Sequence, residues 1–164
     1  MNIIFRVDAS VNIGTGHVVR CLTLADELRS RGADVGFICR EDKGNLIEFI
    51  KKKNYDVYSL PAGVDSDEDL KLTEAILKEQ DKRPEMFIVD HYGIGVKWES
   101  PIRKVVKKIM VIDDLADRRH DCDILLDQNY SQDDNRYNGL LANRCVRLLG
   151  PRYALLRPQF YEAR

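Results

Sequence analysis

The chain opens on one strand-turn-helix unit, and that unit limits the folds available to everything after it. Asn2-Ile-Ile-Phe-Arg-Val7 is an apolar run of strand length. It passes through Asp8-Ala-Ser10 and Gly14-Thr-Gly16 into a stretch from His17 to Arg31, where Val18, Leu22, Ala25 and Leu28 recur at helical spacing. Gly32 follows, the residue type that closes helices. A glycine-rich turn between a strand and a helix brings bare backbone and a helix N-terminus to one spot, which is how α/β proteins build small-molecule sites. The imidazole of His17 in the middle of that turn is the unusual element.

The same alternation continues downstream. Val35–Cys39 reads as a second strand, a helix is predicted near Asn45–Lys52, and Asp56–Leu60 reads as a third strand. Asp67–Gln80 is predicted helical, with Asp67, Glu68 and Asp69 suited to the positive end of its dipole. Met86–Val89 and Ile109–Ile112 are near-continuous apolar runs, the pattern of strands covered on both faces, and Ile124–Leu126 is a further one. Strands alternating with helices predict a parallel sheet, hence an α/β, Rossmann-like fold in a single domain over 1–164. With 164 residues, 44% of them hydrophobic, the chain can bury a core of that kind.

Charge and cysteine usage narrow the function. Lys plus Arg number 26 and Asp plus Glu 27, so no global field draws the chain to nucleic acid or an anionic membrane. Lys51-Lys52-Lys53 and Arg118-Arg119 read as short solvated clusters. No basic segment leads into a long apolar one, and Cys21, Cys39, Cys122 and Cys145 lack C-x-x-C spacing. Both features fit a cytoplasmic protein with reduced, buried thiols. The sequence carries no signal for an oligomeric state.

In open parallel sheets the ligand lies outside the carboxyl ends of the strands. That rule gathers Asp8 and Ser10, Arg40 and Glu41, Asp90-His91-Tyr92, Asp113-Asp114, and Asp127-Gln128-Asn129 on one rim, with His17 at its base. A packed or helix-capping histidine could occupy position 17, but the flanking Gly14 and Gly16 favour a chemical role. A helix N-terminus disfavours imidazolium, so the neutral base form is expected there. His91 divides between a loop residue and a ligand contact, and His120, within Arg118-Arg119-His120-Asp121, reads as exposed loop. Asp113-Asp114 has no histidine at metal-ligand spacing and reads as a pair that caps a strand and opens a loop. No metal or cofactor is called for.

Standard templates fit poorly. The turn has Val19 where a dinucleotide fingerprint needs its third glycine, although Glu41 could stand in for the ribose-binding acid. Neither a P-loop nor a G-x-S-x-G elbow is present.

Several strings together carry a family resemblance: Arg6–Ser10, Gly14-Thr-Gly-His17, Arg20-Cys-Leu22, Val89-Asp-His-Tyr92, Ile112-Asp-Asp-Leu115, Leu126–Tyr130 and Leu149–Pro158. In this order they resemble the UDP-sugar hydrolases of pseudaminic acid biosynthesis and the related spore-coat polysaccharide proteins. The resemblance implies the N-terminal half of a GT-B architecture, two Rossmann-like domains facing each other across a cleft. It also implies hydrolysis of UDP-2,4-diacetamido-2,4,6-trideoxy-β-L-altropyranose to UDP and free sugar, with inversion and without a metal requirement. Carried onto this chain, it makes His17 the base that activates water and Tyr92 a sugar-side catalytic contact. Asp8, Ser10, Gly14, Gly16, Asp90 and His91 become the substrate-binding set. In the family the Leu149–Pro158 segment leads into a nucleotide-binding domain, whereas here Arg164 follows shortly. The expectation is therefore a domain whose partner is missing in cis and which is inactive by itself. Two other readings stay open at this level: a sugar or nucleotide binding module without chemistry, and half of a GT-B glycosyltransferase.

Overall fold

A computed structural model describes residues 1–133 and 135–156. The strands are β1 (Asn2–Val7), β2 (Asp34–Arg40), β3 (Asp56–Leu60), β4 (Met86–Asp90), β5 (Ile109–Ile112), β6 (Ile124–Asp127) and β7 (Val146–Leu149). They form one sheet in the order β3-β2-β1-β4-β5-β6-β7, and every pairing is parallel. Helices α1 (Gly16–Ser30), α2 (Ile47–Lys52), α3 (Ser66–Lys78) and α4 (Val96–Ile102) complete the α/β, Rossmann-like arrangement. No helix among the described residues is long and apolar enough to cross a membrane.

Strand alternation divides the core in two. Ile3, Phe5 and Val7 of β1 pack with Val18, Cys21, Leu22 and Ala25 of α1, and Phe5 stacks on Phe37 with ring centroids 5.0 Å apart. On the other face Ile4, Phe87 and Val89 pack with Leu77 of α3 and with Trp98 and Ile102 of α4. All four cysteines are free and buried.

The helix around Asn45 begins later than the spacing predicts, at Ile47, and the helix over Asp67–Gln80 begins at Ser66 and ends at Lys78. Asp65 caps α3, accepting hydrogen bonds from the N–H groups of Asp67 and Glu68. Asp69, expected to serve the dipole of that first turn, instead points inward and is fully buried.

It lies on the same face as Arg6, the one charged side chain of β1, and the two form a buried ion pair at 2.6 Å. Asp8 and Arg40 complete this network: Arg6 meets Asp8 at 2.7 Å and Arg40 meets Asp69 at 2.7 Å. Two cations and two carboxylates balance, and Trp98 Nε1 donates to Asp69 at 3.2 Å. Burial of a guanidinium in an apolar strand is tolerable only with such complete pairing.

Two further expectations are corrected on the β5–β6 side. His120 is not exposed loop: it is 4% exposed, and its Nδ1 stands 2.6 Å from Glu99 Oε1. Arg118 is not a solvated surface group either. It is half-buried, pairs with Asp113 at 2.9 Å and donates to the Ile94 carbonyl at 2.7 Å. The period-2 alternation of the loop turns His120 and Cys122 inward together.

Candidate active site

The strand order reverses direction at β1 and β4, so the crevice between their carboxyl ends is the topological switch point of the sheet. The β1–α1 loop leaves the sheet at this point. Its Ser10 Oγ accepts hydrogen bonds from the N–H groups of Asn12 and Ile13, at 3.2 and 3.1 Å, and the Gly14 N–H donates to the Ser10 carbonyl at 2.8 Å. The turn needs a left-handed residue at Gly14, where φ is 80°. Gly16 has no such demand, and a side chain built there would meet nothing within 4 Å. Val11 of the same loop rests on the β2–α2 connection, donating its N–H to the Lys43 carbonyl at 3.0 Å. A side-chain carbon at Gly44 would come within 2.8 Å of Val11 Cγ1.

Helix α1 starts at Gly16 without a side-chain cap, so His17 sits in an open first turn. The residue is 9% exposed, and its ring meets the Tyr92 ring edge to face, with centroids 4.6 Å apart and planes at 88°. The imidazole is thus more enclosed than a base standing in an open rim. Among the described residues neither of its nitrogens has a hydrogen-bond partner, and neither is sealed from solvent. Burial lowers its proton affinity below that of an ordinary histidine, and Arg20 pushes the same way, against the carboxylates of Asp90 and Asp114. The expected direction therefore holds, with desolvation as its main cause.

The polar groups around His17 form a ring of charge drawn from four segments. Arg20, one turn along α1, makes two 2.6 Å hydrogen bonds to Asp90 at the end of β4. It also donates to Asp114, after β5, at 3.3 Å. Asp114 accepts from the Tyr92 hydroxyl at 2.8 Å and from Asn129, after β6, at 3.3 Å. Burial and the Asp114 hydrogen bond push the Tyr92 hydroxyl up to about 12.

This geometry separates the residues singled out from the sequence. His17, Tyr92, His91, Gly14 and Gly16 gather at the crevice. Asp8, Asp90 and Ser10 do not present free polar groups to it. Asp8 is 1% exposed and Asp90 is fully buried, because each carboxylate is held inward by a guanidinium. Burial opposes the charge on Asp8, but the His91 contact, Arg6 and the Arg40 N–H outweigh it, and its proton affinity falls well below the carboxylate range. His91 accepts from the Gly93 N–H through Nδ1 at 3.0 Å, which leaves its Nε2 as the nitrogen facing Asp8, 3.2 Å away and off the line of a straight hydrogen bond.

Arg20 and Asp114 lie outside the set of site residues that the sequence suggests. Arg20 could have been found by its spacing, since i and i+3 on a helix share a face and place it beside His17. The Asp113-Asp114 pair does open a loop, with Asp113 Oδ2 accepting from the Ala116 N–H at 3.0 Å.

No family model matches the chain. Among curated proteins it is similar to an uncharacterized protein of Methanocaldococcus jannaschii, 28% identical over 167 residues that take in 100% of this chain and 32% of that protein. It is also similar to the UDP-2,4-diacetamido-2,4,6-trideoxy-beta-L-altropyranose hydrolase of Campylobacter jejuni subsp. jejuni, 37% identical over 163 residues and 99% of this chain. The chain spans 54% of that hydrolase. This Rossmann-like chain is therefore similar, over nearly its whole length, to about half of a UDP-2,4-diacetamido-2,4,6-trideoxy-beta-L-altropyranose hydrolase.

Proposed function

We propose that this domain is the water-activating half of a UDP-sugar hydrolase, in which His17 is the general base. One observation carries the reading: an imidazole at the switch-point crevice whose nitrogens are uncommitted among the described residues, lowered in proton affinity by burial. Similarity to the Campylobacter hydrolase supports the reaction class and, for a substrate, UDP-2,4-diacetamido-2,4,6-trideoxy-β-L-altropyranose or a related UDP-sugar.

In this scheme His17 takes a proton from water as the water oxygen bonds to the anomeric carbon, on the face opposite UDP. The bond to the phosphate oxygen breaks, its electron pair leaves with UDP, and the sugar is released with inverted configuration. UDP is a good leaving group, so the main demand on the protein is a positioned base. Gly14 and Gly16 leave room for the sugar, and Tyr92 and His91 contact it. Asp8 and Asp90 act from beneath, one aligning His91 and the other Arg20. The nucleotide grip falls to a second domain in cis, completing a GT-B cleft, and the domain by itself turns over UDP-sugar poorly.

The test is UDP release by a polypeptide that carries both halves. His17→Ala should cut kcat by roughly 10²–10⁴-fold, the usual worth of a general base, with an unchanged unfolding midpoint. Undiminished turnover removes His17 from the role. Tight binding of UDP to this chain alone, measured by calorimetry, would favour a nucleotide-binding module instead.

A further inference from the structure

Tyr92 lies in the loop after β4 with 42% of its surface exposed, yet its ring covers His17. A half-exposed tyrosine in a loop ordinarily exchanges rotamers freely. Its only hydrogen bond among the described residues runs from the hydroxyl to Asp114 Oδ1, at 2.8 Å. The other carboxylate oxygen of Asp114 is occupied by Arg20 and Asn129, each at 3.3 Å, and Arg136 donates to the Asp114 backbone carbonyl at 2.7 Å. The carboxylate is thus fixed from α1, from the segment after β6 and through its own main chain, and one oxygen is left aimed at Tyr92.

We propose that Asp114 is a positioning residue for the base: through the Tyr92 hydroxyl it pins the aromatic ring against His17 and so sets how far the imidazole is desolvated. Nothing in the β4 loop itself can do this, because Asp90 is taken by Arg20 and the His91 ring is turned to Asp8 and Gly93. The groups that bear on the His17 charge are then Asp90, Arg20, Asp114 and His91 around it, with the uncharged Tyr92 ring against it. Removing the tether without altering any charge uncovers the ring face that Tyr92 shields, lets more water reach the imidazole and raises its proton affinity.

The inference rests on His17 being the base, but its test needs no turnover and so fails or succeeds separately from the hydrolase reading. Proton NMR on this chain should show cross-relaxation between the ring protons of His17 and those of the aromatic ring at position 92. Tyr92→Phe deletes a single oxygen and keeps the ring and every charge. The contact should be lost, and the His17 titration midpoint should move up towards the ordinary value of about 6.5. Asp114→Ala should lose the same contact, and the double variant should lose no more than either single one, as expected of two groups acting through one bond. Persistence of the ring contact in either single variant, or an unmoved midpoint in Tyr92→Phe, overturns the proposal. If Asp114→Ala does not fold, Tyr92→Phe decides the question alone.

Discussion

His17 and His120 are almost equally buried, at 9% and 4% exposure, yet they sit in opposite kinds of surroundings. His17 faces a tyrosine ring, and among the described residues its nitrogens have no partner and still reach solvent. His120 has Nδ1 locked to Glu99, and its Nε2 is sealed in, 4.0 Å from Asp113. Overall exposure does not tell them apart, whereas the locked Nδ1 of His120 and the solvent access of the His17 nitrogens do. A base must keep a nitrogen open to its reaction; His120 has one nitrogen spent on Glu99 and the other shut away from solvent.

Exchanging the two phenotypes would break this contrast. The largest expected effect is the loss of about 10²–10⁴-fold in kcat for His17→Ala in the two-half protein, with thermal stability retained. His120→Ala should do the reverse, costing about 2–4 kcal/mol in denaturant unfolding because Glu99 is left buried without its partner. Its kcat per folded molecule should be unchanged. A drop in kcat at full stability for His120→Ala would erase the distinction.

The pH profile sharpens the same comparison. His17 acts only when unprotonated and its proton affinity is lowered by burial, so kcat/KM should rise with pH along an acid limb centred below about 6.5 and then level off. A limb centred above that value points to another group. The smallest effect serves as a baseline: Glu27→Gln removes an exposed i,i+4 partner of Arg31 at the C-terminal end of α1, and should change stability by less than about 0.5 kcal/mol.

The strands were legible where the chain is apolar on both faces, as at Met86–Asp90 and Ile109–Ile112. Strand β7 was not, because Val146 and Arg147 face solvent on the edge of the sheet and leave no alternation to read. Helix α4 was missed for a related reason: it is seven residues long, holds Pro101, and buries Glu99 along with Trp98 and Ile102. At the site, the Gly14 and Gly16 pair drew attention to His17, whose spacing is local. The inward turn of Asp90 was hidden because its partner Arg20 lies 70 positions earlier in the chain. Asp69 looked like a helix-end charge for the same reason, its partner Arg6 being 63 positions away. A clue was present in that case. A lone arginine inside an apolar strand must find a carboxylate from somewhere else in the fold.

The contact between Val11 and Gly44 gives the loop that carries no chemistry a hold on the one that does. With φ at 83° and no space for a methyl group, position 44 is intolerant of variation even though it belongs to the β2–α2 connection. The segments around Val11 and Gly44 therefore form one transplantable cassette. A chimera that imports either from a relative without the other would inherit a mismatched seam and a displaced entrance to α1.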